Sequence, residues 1–332
     1  MRRRTRAFAT SGLVLVGLLA GCASGSEPST GSGTSGEGES QQGQAGLASI
    51  TLGIFPGATF AGLEVAKDEG IFEKHGLDVQ TSMSQGGAEL LPAVMTRSID
   101  VAVGNPVSVM QAFSKGLDVT IIAGYGKDGP ANNDTSAVVA MPDEGIQSAK
   151  DLVGKTVAVN SLQGALELGI RESVRLDGGD PNGVNFIELA FPDMPGQLES
   201  GTVDAICVGQ PFMGAVLENG GEVVLESQKE SGTGDTILVT FSSDAFVEEN
   251  PELVDSFRAA WSEALDYAQE NPDLVRAEIP DFIGMDPELA ADLPLEGVSA
   301  ELSMDGLQAY ADLMVQYGVV DELPNLDELT DQ

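Results

Sequence analysis

The chain has 332 residues, 42% of them hydrophobic, and its 52 acidic against 16 basic residues give a formal net charge of −36. A surface this acidic repels nucleic acid and anionic lipid, which excludes nucleic acid as a partner. Two cysteines are present, and Cys207 in the apolar stretch "DAICVG" is expected to be a buried thiol without a disulfide partner.

The first 46 residues are predicted to be a leader and a linker. Four arginines precede an apolar stretch at 7–21, which is shorter than the roughly 20 residues that cross a bilayer. Residues 1–21 therefore read as a secretory signal peptide. "LAGC" resembles the bacterial lipobox, so we expect Cys22 to carry the lipid, palmitate included; a plain signal peptide with an incidental cysteine is the alternative.

The tract after Cys22 supports the lipid anchor. Residues 23–46 are almost entirely Gly, Ser, Thr, Glu, Gln and Ala, which cannot bury enough apolar surface to fold. Residues 22–46 are therefore predicted to be a lipidated cysteine followed by a flexible linker. This arrangement would hold a folded body at the extracytoplasmic face of the cell membrane.

Strands and helices alternate from residue 47 onward. The predicted strands are 49–55, 77–83, 99–104, 119–126, 136–141, 156–160, 184–189, 203–209, 222–226 and 236–242. The predicted helices are 59–76, 86–98, 106–116, 164–176, 196–200 and 211–219, followed by a mainly helical C-terminal third. The alternation and the short, Val- and Ile-rich strands predict an α/β fold with mostly parallel sheets.

One segment of the chain is repeated in outline. "SIDVAVGNP" (98–106) returns as "TVDAICVGQP" (202–211), each with an aspartate, a buried strand, a glycine, an amide side chain and a proline. A proline in the first turn of a helix costs no hydrogen bond, and the glycine permits a sharp turn. The repeat indicates two lobes built on one plan, unless it is a chance likeness between two βα turns.

Three segments carry a resemblance to a known family. "PGATFAGLEVAKDEGIFEKHGLDV" (56–79), "DLVGKTVAVN" (151–160) and "LAFPDMPGQLESGTVDAICVGQPF" (189–212) resemble substrate-binding proteins of ABC importers, in the nitrate, sulfonate, taurine and thiamine-precursor group. The family commonly has an acidic residue where this sequence has Gln210. A ligand that requires a carboxylate at that point is therefore in doubt.

The resemblance implies a two-lobed fold of the type II periplasmic-binding class, with a ligand cleft between the lobes. Lobe one would comprise 47–135 plus 236–332, and lobe two 136–235. The two chain crossings, near 132–139 and 232–239, would form the hinge. The implied function is capture of a small organic molecule or anion by a monomeric receptor, without cofactor or metal, for delivery to ABC transporter permease subunits.

Sheet geometry predicts where the ligand would bind. Ligands of open α/β sheets bind beyond the carboxyl ends of the strands, where helix N-termini also present free backbone N–H groups. The candidate ligand-binding residues at those ends are Phe55, Pro56, Thr59, Gln85, Gly86, Gly87, Asn105, Tyr125, Asn160, Ser161, Gln163, Asp193 and Gln210.

Several of these candidates have a structural alternative. Aromatic residues at strand ends, here Phe55 and Tyr125 together with Phe60 and Phe212, are more often core. Asp193 could cap the next helix. The Gly86-Gly87 pair could be structural, required only for the backbone conformation at the start of a helix.

Basic residues are scarce near the predicted strand ends. Lys127 lies close, whereas Arg97, Arg171 and Arg175 are predicted on solvated helix faces. A neutral or ring-bearing ligand therefore fits better than a tightly held sulfonate, which favours an arginine fork.

Catalysis finds little support in the sequence. The single histidine, His75, is expected beside a helix end, and one His with one buried Cys makes no catalytic relay or transition-metal set. Two alternatives to a transport receptor remain open. One is an enzyme of the same fold in thiamine-pyrimidine synthesis, and the other is a sensor lipoprotein that works without a permease.

Overall fold

Two β-sheets with helices on their faces organise the protein in its computed structural model, which describes residues 46–84, 87–127 and 136–330. The strands are β1 Ala48–Ile54, β2 Leu77–Met83, β3 Val101–Gly104, β4 Val119–Lys127, β5 Ser136–Ala140, β6 Thr156–Val159, β7 Asn185–Glu188, β8 Ala205–Gly209, β9 Glu222–Leu225, β10 Leu238–Ser243 and β11 Gly297–Val298. The predicted leader, Cys22 and the linker up to Ala45 lie outside the described residues.

Fourteen α-helices are described in these ranges, with short 3₁₀ turns between some of them. They are α1 Ala61–Asp68, α2 Ile71–Lys74, α3 Gly87–Met95, α4 Pro106–Ser114, α5 Ala165–Leu176, α6 Met194–Glu199, α7 Phe212–Glu218, α8 Ser227–Ser231, α9 Asp244–Glu249, α10 Pro251–Glu270, α11 Pro272–Ile283, α12 Pro287–Ala291, α13 Met304–Gln316 and α14 Leu326–Leu329. None of the helices in the described ranges has the length and apolar character needed to cross a membrane.

Sheet one has the strand order β11-β4-β10-β3-β1-β2, and sheet two has the order β7-β6-β8-β5-β9. The predicted α/β class with two sheets and flanking helices is confirmed, but the sheets are mixed. Strands β1, β2 and β3 are parallel, as are β6, β7 and β8, whereas β10 and β5 run antiparallel to their neighbours. Strands β5 and β10 are each the first strand formed after the chain passes from one sheet to the other, and the short β11 is also antiparallel to its neighbour β4. Sequence patterns within a strand do not encode that direction.

Both faces of each sheet are covered, which explains the continuous burial of the central strands. One face of sheet one packs on α1, α2 and α10 through Phe60, Phe72 and Trp261. Its other face packs on α4 and α13 through Val107 and Tyr310. Sheet two packs on α5 on one side and on α6 and α7 on the other.

The predicted helix over 59–76 is divided in the structure. A 3₁₀ turn at Ala58–Phe60 leads into α1, and α2 follows only after Gly70. Gly70 has a φ of 71°, in the left-handed region that interrupts a right-handed helix and that glycine adopts readily. The predicted range contained both helices, but the break between them depends on one backbone conformation.

Candidate functional site

A cavity of about 120 Å³ lies between the two sheets and takes its lining from both. Six of the predicted site residues line it: Phe55, Pro56, Thr59, Asn105, Asn160 and Gln210. They follow the carboxyl ends of β1, β3, β6 and β8, so the cavity lies where the parallel strands of both sheets end.

The repeated segment has the same hydrogen bonds in both sheets. Asp100 donates its backbone N–H to the carbonyl of Thr51, 3.0 Å away, and its carboxylate accepts from the Thr51 N–H at 2.8 Å. Asp204 makes the matching pair with Thr156, at 2.9 and 2.6 Å. Each aspartate thus fixes the start of its strand against the neighbouring parallel strand. The chance alternative for the repeat is therefore disfavoured, because the two aspartates make the same pair of hydrogen bonds.

The amide side chains at the ends of the repeat occupy matching places on the two walls of the cavity. The side-chain oxygen of Asn105 accepts from the Ser108 N–H at 2.9 Å and caps α4. The side-chain oxygen of Gln210 accepts from the Gly214 N–H at 3.1 Å, in the first turn of α7. Each amide is held by the helix it precedes, so both are positioned before any ligand arrives.

Four predicted residues are not in the cavity lining. Tyr125 is buried and donates its hydroxyl to the carbonyl of Thr59 at 3.0 Å, and burial raises the pKa of that hydroxyl well above its usual range. Asp193 is exposed, and its side chain makes no cap hydrogen bond at the start of α6, so its proposed capping role is wrong. Ser161 and Gln163 lie in the turn before α5, where the backbone carbonyl of Gln163 accepts from Gln111.

The glycine-rich start of α3 was also among the predicted sites. Gln85 and Gly86 lie outside the described residues. Gly87 is the first residue of α3.

Three phenylalanine rings form a continuous wall of the cavity, called here the aromatic wall: Phe55, Phe191 and Phe212. The ring centroids of Phe55 and Phe191 are 6.4 Å apart, and those of Phe191 and Phe212 are 6.3 Å apart with an interplanar angle of 15°. Phe55 belongs to sheet one and the other two to sheet two, so the wall joins the two halves. Phe191 was missed, although it follows the carboxyl end of β7 and the same strand-end rule would have found it.

Most polar groups of the lining already have protein partners. Gln228 donates from Nε2 to the Tyr310 hydroxyl at 2.9 Å and accepts from the Ser136 hydroxyl at 3.0 Å. By contrast, Thr59 Oγ1 is buried without a hydrogen-bond partner among the described residues. Glu296, another residue that the sequence did not indicate, also lines the cavity. The polar groups left for a ligand are therefore few.

The residues considered for catalysis lie away from the cavity lining. Cys207 is fully buried in β8, and burial raises the pKa of its thiol to about 12. His75 ends α2, and its Nε2 is 2.8 Å from a carboxylate oxygen of Glu263. Among the residues that the structure describes, no group of three or more His, Cys, Asp or Glu is arranged to hold a metal ion.

Of the arginines predicted on solvated helix faces, Arg171 is half-buried and Arg175 is exposed, and both are paired with glutamates. Arg171 donates from Nε to Glu167 at 2.7 Å and lies over the Phe186 ring, 4.8 Å from its centroid. Arg175 donates to both carboxylate oxygens of Glu172, at 2.8 and 2.6 Å. Both are tied to buried glutamates of α5, which the helical charge pattern alone did not reveal.

Comparison with known families adds an independent observation to this geometry. The family described as NMT1/THI5-like matches residues 58–274, well over half of the chain. The chain belongs to the NMT1/THI5-like family. The matched range contains four of the six predicted lining residues, Thr59, Asn105, Asn160 and Gln210, together with most of both sheets.

Two related proteins are named for the molecule that each of them binds. The formylaminopyrimidine-binding protein of Halalkalibacterium halodurans is 26% identical over 228 residues, which cover 68% of this chain and 67% of that protein. The taurine-binding periplasmic protein of Escherichia coli is 26% identical over 217 residues, 64% of each chain. The matched segment thus spans about two thirds of the length of these relatives.

Solved structures share the fold at low sequence identity. The alkanesulfonate-binding protein of Xanthomonas axonopodis pv. citri superposes with a TM-score of 0.72 at 17% identity, covering 86% of this chain and 99% of that one. The periplasmic nitrate-binding protein of Synechocystis PCC 6803 gives a TM-score of 0.67 at 14% identity, covering 85% and 84%. The fold is therefore that of periplasmic binding proteins.

Proposed function

We propose that this protein is an extracytoplasmic solute-binding protein that captures a small molecule between two lobes and delivers it to the permease of an ABC importer. The observation that carries the proposal is the cavity at the carboxyl ends of both sheets. Relatives named as binding proteins for taurine and for formylaminopyrimidine support the same class of function. The lobes would be 47–135 plus 236–332 and 136–235, which agrees with the strands of the two sheets.

The cavity supports binding without chemical conversion of the ligand. Its described lining contains neither cysteine nor histidine, and Cys207 and His75 are engaged elsewhere. An enzyme that used either residue would need it next to the ligand. We therefore propose a receptor rather than an enzyme, acting as a monomer.

Ligand capture is tested by screening small nutrients for thermal stabilisation of the protein. The compounds are sulfonates, taurine, nitrate, thiamine precursors and amino- and ring-bearing metabolites. A ligand at 100 times its Kd adds about 2.7 kcal/mol to the free energy of unfolding. Failure of a broad screen to yield any stabilising compound would count against solute capture.

Two amide side chains of the cavity lining, Asn160 and Gln210, provide a mutational test. Asn160→Ala and Gln210→Ala are expected to weaken binding of any ligand found in the screen, while the circular dichroism and melting temperature without ligand change little. Loss of one hydrogen bond to a ligand corresponds to roughly fivefold to tenfold in Kd. Unchanged affinity in both variants would remove these residues from the site.

Membrane attachment is proposed through acylation of Cys22. Cells fed a labelled fatty acid are expected to incorporate it into the full chain, which fractionates with membranes, and Cys22→Ser is expected to abolish both. Cys207→Ser is the matched control, since that thiol is buried in β8. Label retained in Cys22→Ser would contradict the anchor.

Delivery to a permease is tested by affinity capture of the membrane-anchored protein with and without ligand. Co-purification of an ABC permease supports the transport receptor. A chain that binds its ligand but recruits no permease in native membranes would instead be a sensor.

A further inference from the structure

The side chain of Gln228 lies where the cavity and the two halves of the molecule meet. Gln228 lines the cavity and is only 4% exposed. Its Oε1 accepts from the Ser136 hydroxyl at 3.0 Å, and its Nε2 donates to the Tyr310 hydroxyl at 2.9 Å. Ser136 begins β5 of sheet two, whereas Tyr310 lies on α13, which packs on sheet one. One buried amide therefore links the two halves.

The same residue contacts both segments through which the chain passes between the sheets. Ser136 is the first described residue after the passage from sheet one to sheet two. On the return passage, Thr233 donates its backbone N–H to the carbonyl of Gln228 at 2.8 Å. Thr236 follows, and its hydroxyl donates to the carbonyl of Ser303, the residue before α13, at 3.3 Å. Gln228 thus has hydrogen bonds to both passages.

Helix α13 packs closely against the return passage. A Cβ added at Gly306, in the first turn of α13, would lie 2.5 Å from Thr236 Oγ1, closer than side-chain atoms pack. Glycine permits this close approach, and one turn further along the helix Tyr310 reaches Gln228. Tyr310 is fully buried, so its hydroxyl is held in place by the packing of α13. A rotation of one half against the other about the two passages would therefore strain or break the Gln228–Tyr310 hydrogen bond.

The Gln228 amide has hydrogen-bonding capacity that the described residues do not use. A glutamine amide has two N–H donors and two acceptor lone pairs. Among the described residues, its side chain uses one donor, to Tyr310, and one lone pair, which accepts from Ser136. The second N–H and the second lone pair belong to a side chain that lines the cavity. A captured molecule that bonds to either of them also restrains the amide that binds Tyr310.

We propose, resting on the function proposed above, that Gln228 contacts the captured solute and that its hydrogen bond to Tyr310 couples this contact to closure of the two halves. The bond to Tyr310 and the bond to the solute favour the same closed arrangement. Two contacts that favour one state strengthen each other. Loss of the Tyr310 hydroxyl therefore weakens solute binding, although Tyr310 is outside the described lining. A Tyr310 hydroxyl with a structural role alone would change stability and leave solute affinity as it is.

The arrangement of the halves is measured first, without any added solute. Tyr310→Phe removes one hydroxyl, and Gln228→Met replaces the amide by an apolar side chain of similar length. Small-angle X-ray scattering of the full chain is expected to give both variants a larger radius of gyration than the native protein. Tyr267→Phe on α10, which removes a hydroxyl that interacts with Glu69, is the control and should match the native protein. Equal radii of gyration in all four proteins would overturn the proposal.

Solute affinity is measured by titration calorimetry with three probes: taurine, nitrate and formylaminopyrimidine. For a probe that binds the native protein, Tyr310→Phe is expected to raise Kd about fivefold and Gln228→Met at least about tenfold. The double variant is expected to bind like Gln228→Met alone, because Tyr310 acts through Gln228. A native Kd in Tyr310→Phe, or effects that multiply in the double variant, would overturn the coupling. Tyr267→Phe should keep the native Kd.

The outcomes separate this proposal from the function on which it rests. Equal probe affinities of the native and Tyr310→Phe proteins overturn the coupling and leave solute capture intact. A probe that binds Gln228→Met as tightly as the native protein overturns the contact with Gln228 alone. If no compound of the three probes or of the broad thermal screen binds the native protein, solute capture and the contact with Gln228 are overturned together.

Discussion

At the scale of single residues, Thr59 places a buried polar atom in the cavity lining that a ligand can bond. Its buried Oγ1 has no hydrogen-bond partner among the described residues. An unsatisfied buried polar atom costs about 1–3 kcal/mol, and a ligand that bonds to it recovers part of that energy.

Replacement of this hydroxyl is therefore expected to have opposite effects on stability and on binding. Thr59→Val, which keeps the shape of the side chain, should raise the free energy of unfolding by about 1 kcal/mol in urea denaturation. It should also weaken ligand binding in titration calorimetry. Thr59→Ser is the control that keeps the hydroxyl, and a variant Thr59→Val that bound ligand as tightly as the native protein would contradict a role in recognition.

At the scale of elements, α5 carries the main contact between the two halves. Its residues Ala165 and Leu168 are buried in the same core as β3, β4 and α13 of sheet one. On the same helix, Glu172 accepts hydrogen bonds from the Tyr317 hydroxyl at 2.8 Å and from Gln316 Nε2 at 2.9 Å. A buried carboxylate thus fixes the end of α13 against a helix of sheet two.

This contact predicts an acid-sensitive contribution to stability. The hydrogen bonds from Arg175, followed by those from Tyr317 and Gln316, lower the pKa of Glu172 to about 2 from its ordinary 4.5. A lowered pKa in the folded state means that the stabilisation is complete above about pH 4.5 and is lost as the pH falls toward 2.

Glu172→Gln is therefore expected to lower the free energy of unfolding by roughly 2 kcal/mol at pH 7, and by less at pH 3. Denaturant titrations at both pH values measure the difference. Glu218→Gln, at an exposed position on α7, is the control and should have little effect at either pH. A loss of unfolding free energy in Glu172→Gln that was larger at pH 3 than at pH 7 would contradict the predicted pH dependence.

At the scale of the whole molecule, the binding function depends on contacts that cross between the two sheets. Besides the α5–α13 contact, Gln111 on α4 donates from Nε2 to the backbone carbonyl of Gln163 at 2.8 Å, next to the cavity residue Asn160. Proteins of this fold close two lobes around a ligand. Contacts at the cavity edge then add to the stability of the closed form.

Gln111→Ala is expected to weaken ligand binding about fivefold, because a hydrogen bond that joins the two halves is lost. Its free energy of unfolding without ligand should change little. Small-angle X-ray scattering should show a larger radius of gyration for the variant than for the native protein at a subsaturating ligand concentration. Gln308→Ala, on the exposed side of α13, is the control. Equal ligand affinities of the native protein and both variants would contradict a role of the Gln111–Gln163 hydrogen bond in binding.

The sequence predicted more of the site than of the sheet topology. The strand ends that meet the cavity were found because parallel strands of one sheet end at a common edge, and six of the predicted residues lie in its lining. Tyr125 and Asp193 occupy strand or loop ends of the same kind, yet one side chain points into the core and the other into solvent. Strand position alone does not determine which way a residue faces.

By itself, the sequence determined the α/β class, most strand and helix positions, the two-lobe plan indicated by the repeated segment, and the low basic content. These properties follow from local periodicity, turn residues and composition, which act over a few neighbouring residues. Only the tertiary structure decided the antiparallel insertion of β5 and β10, and the meeting of Phe55, Phe191 and Glu296 at one cavity. Those features depend on packing between residues that are far apart in the sequence, such as Val138 and Cys207 in β5 and β8, and no local pattern specifies such contacts.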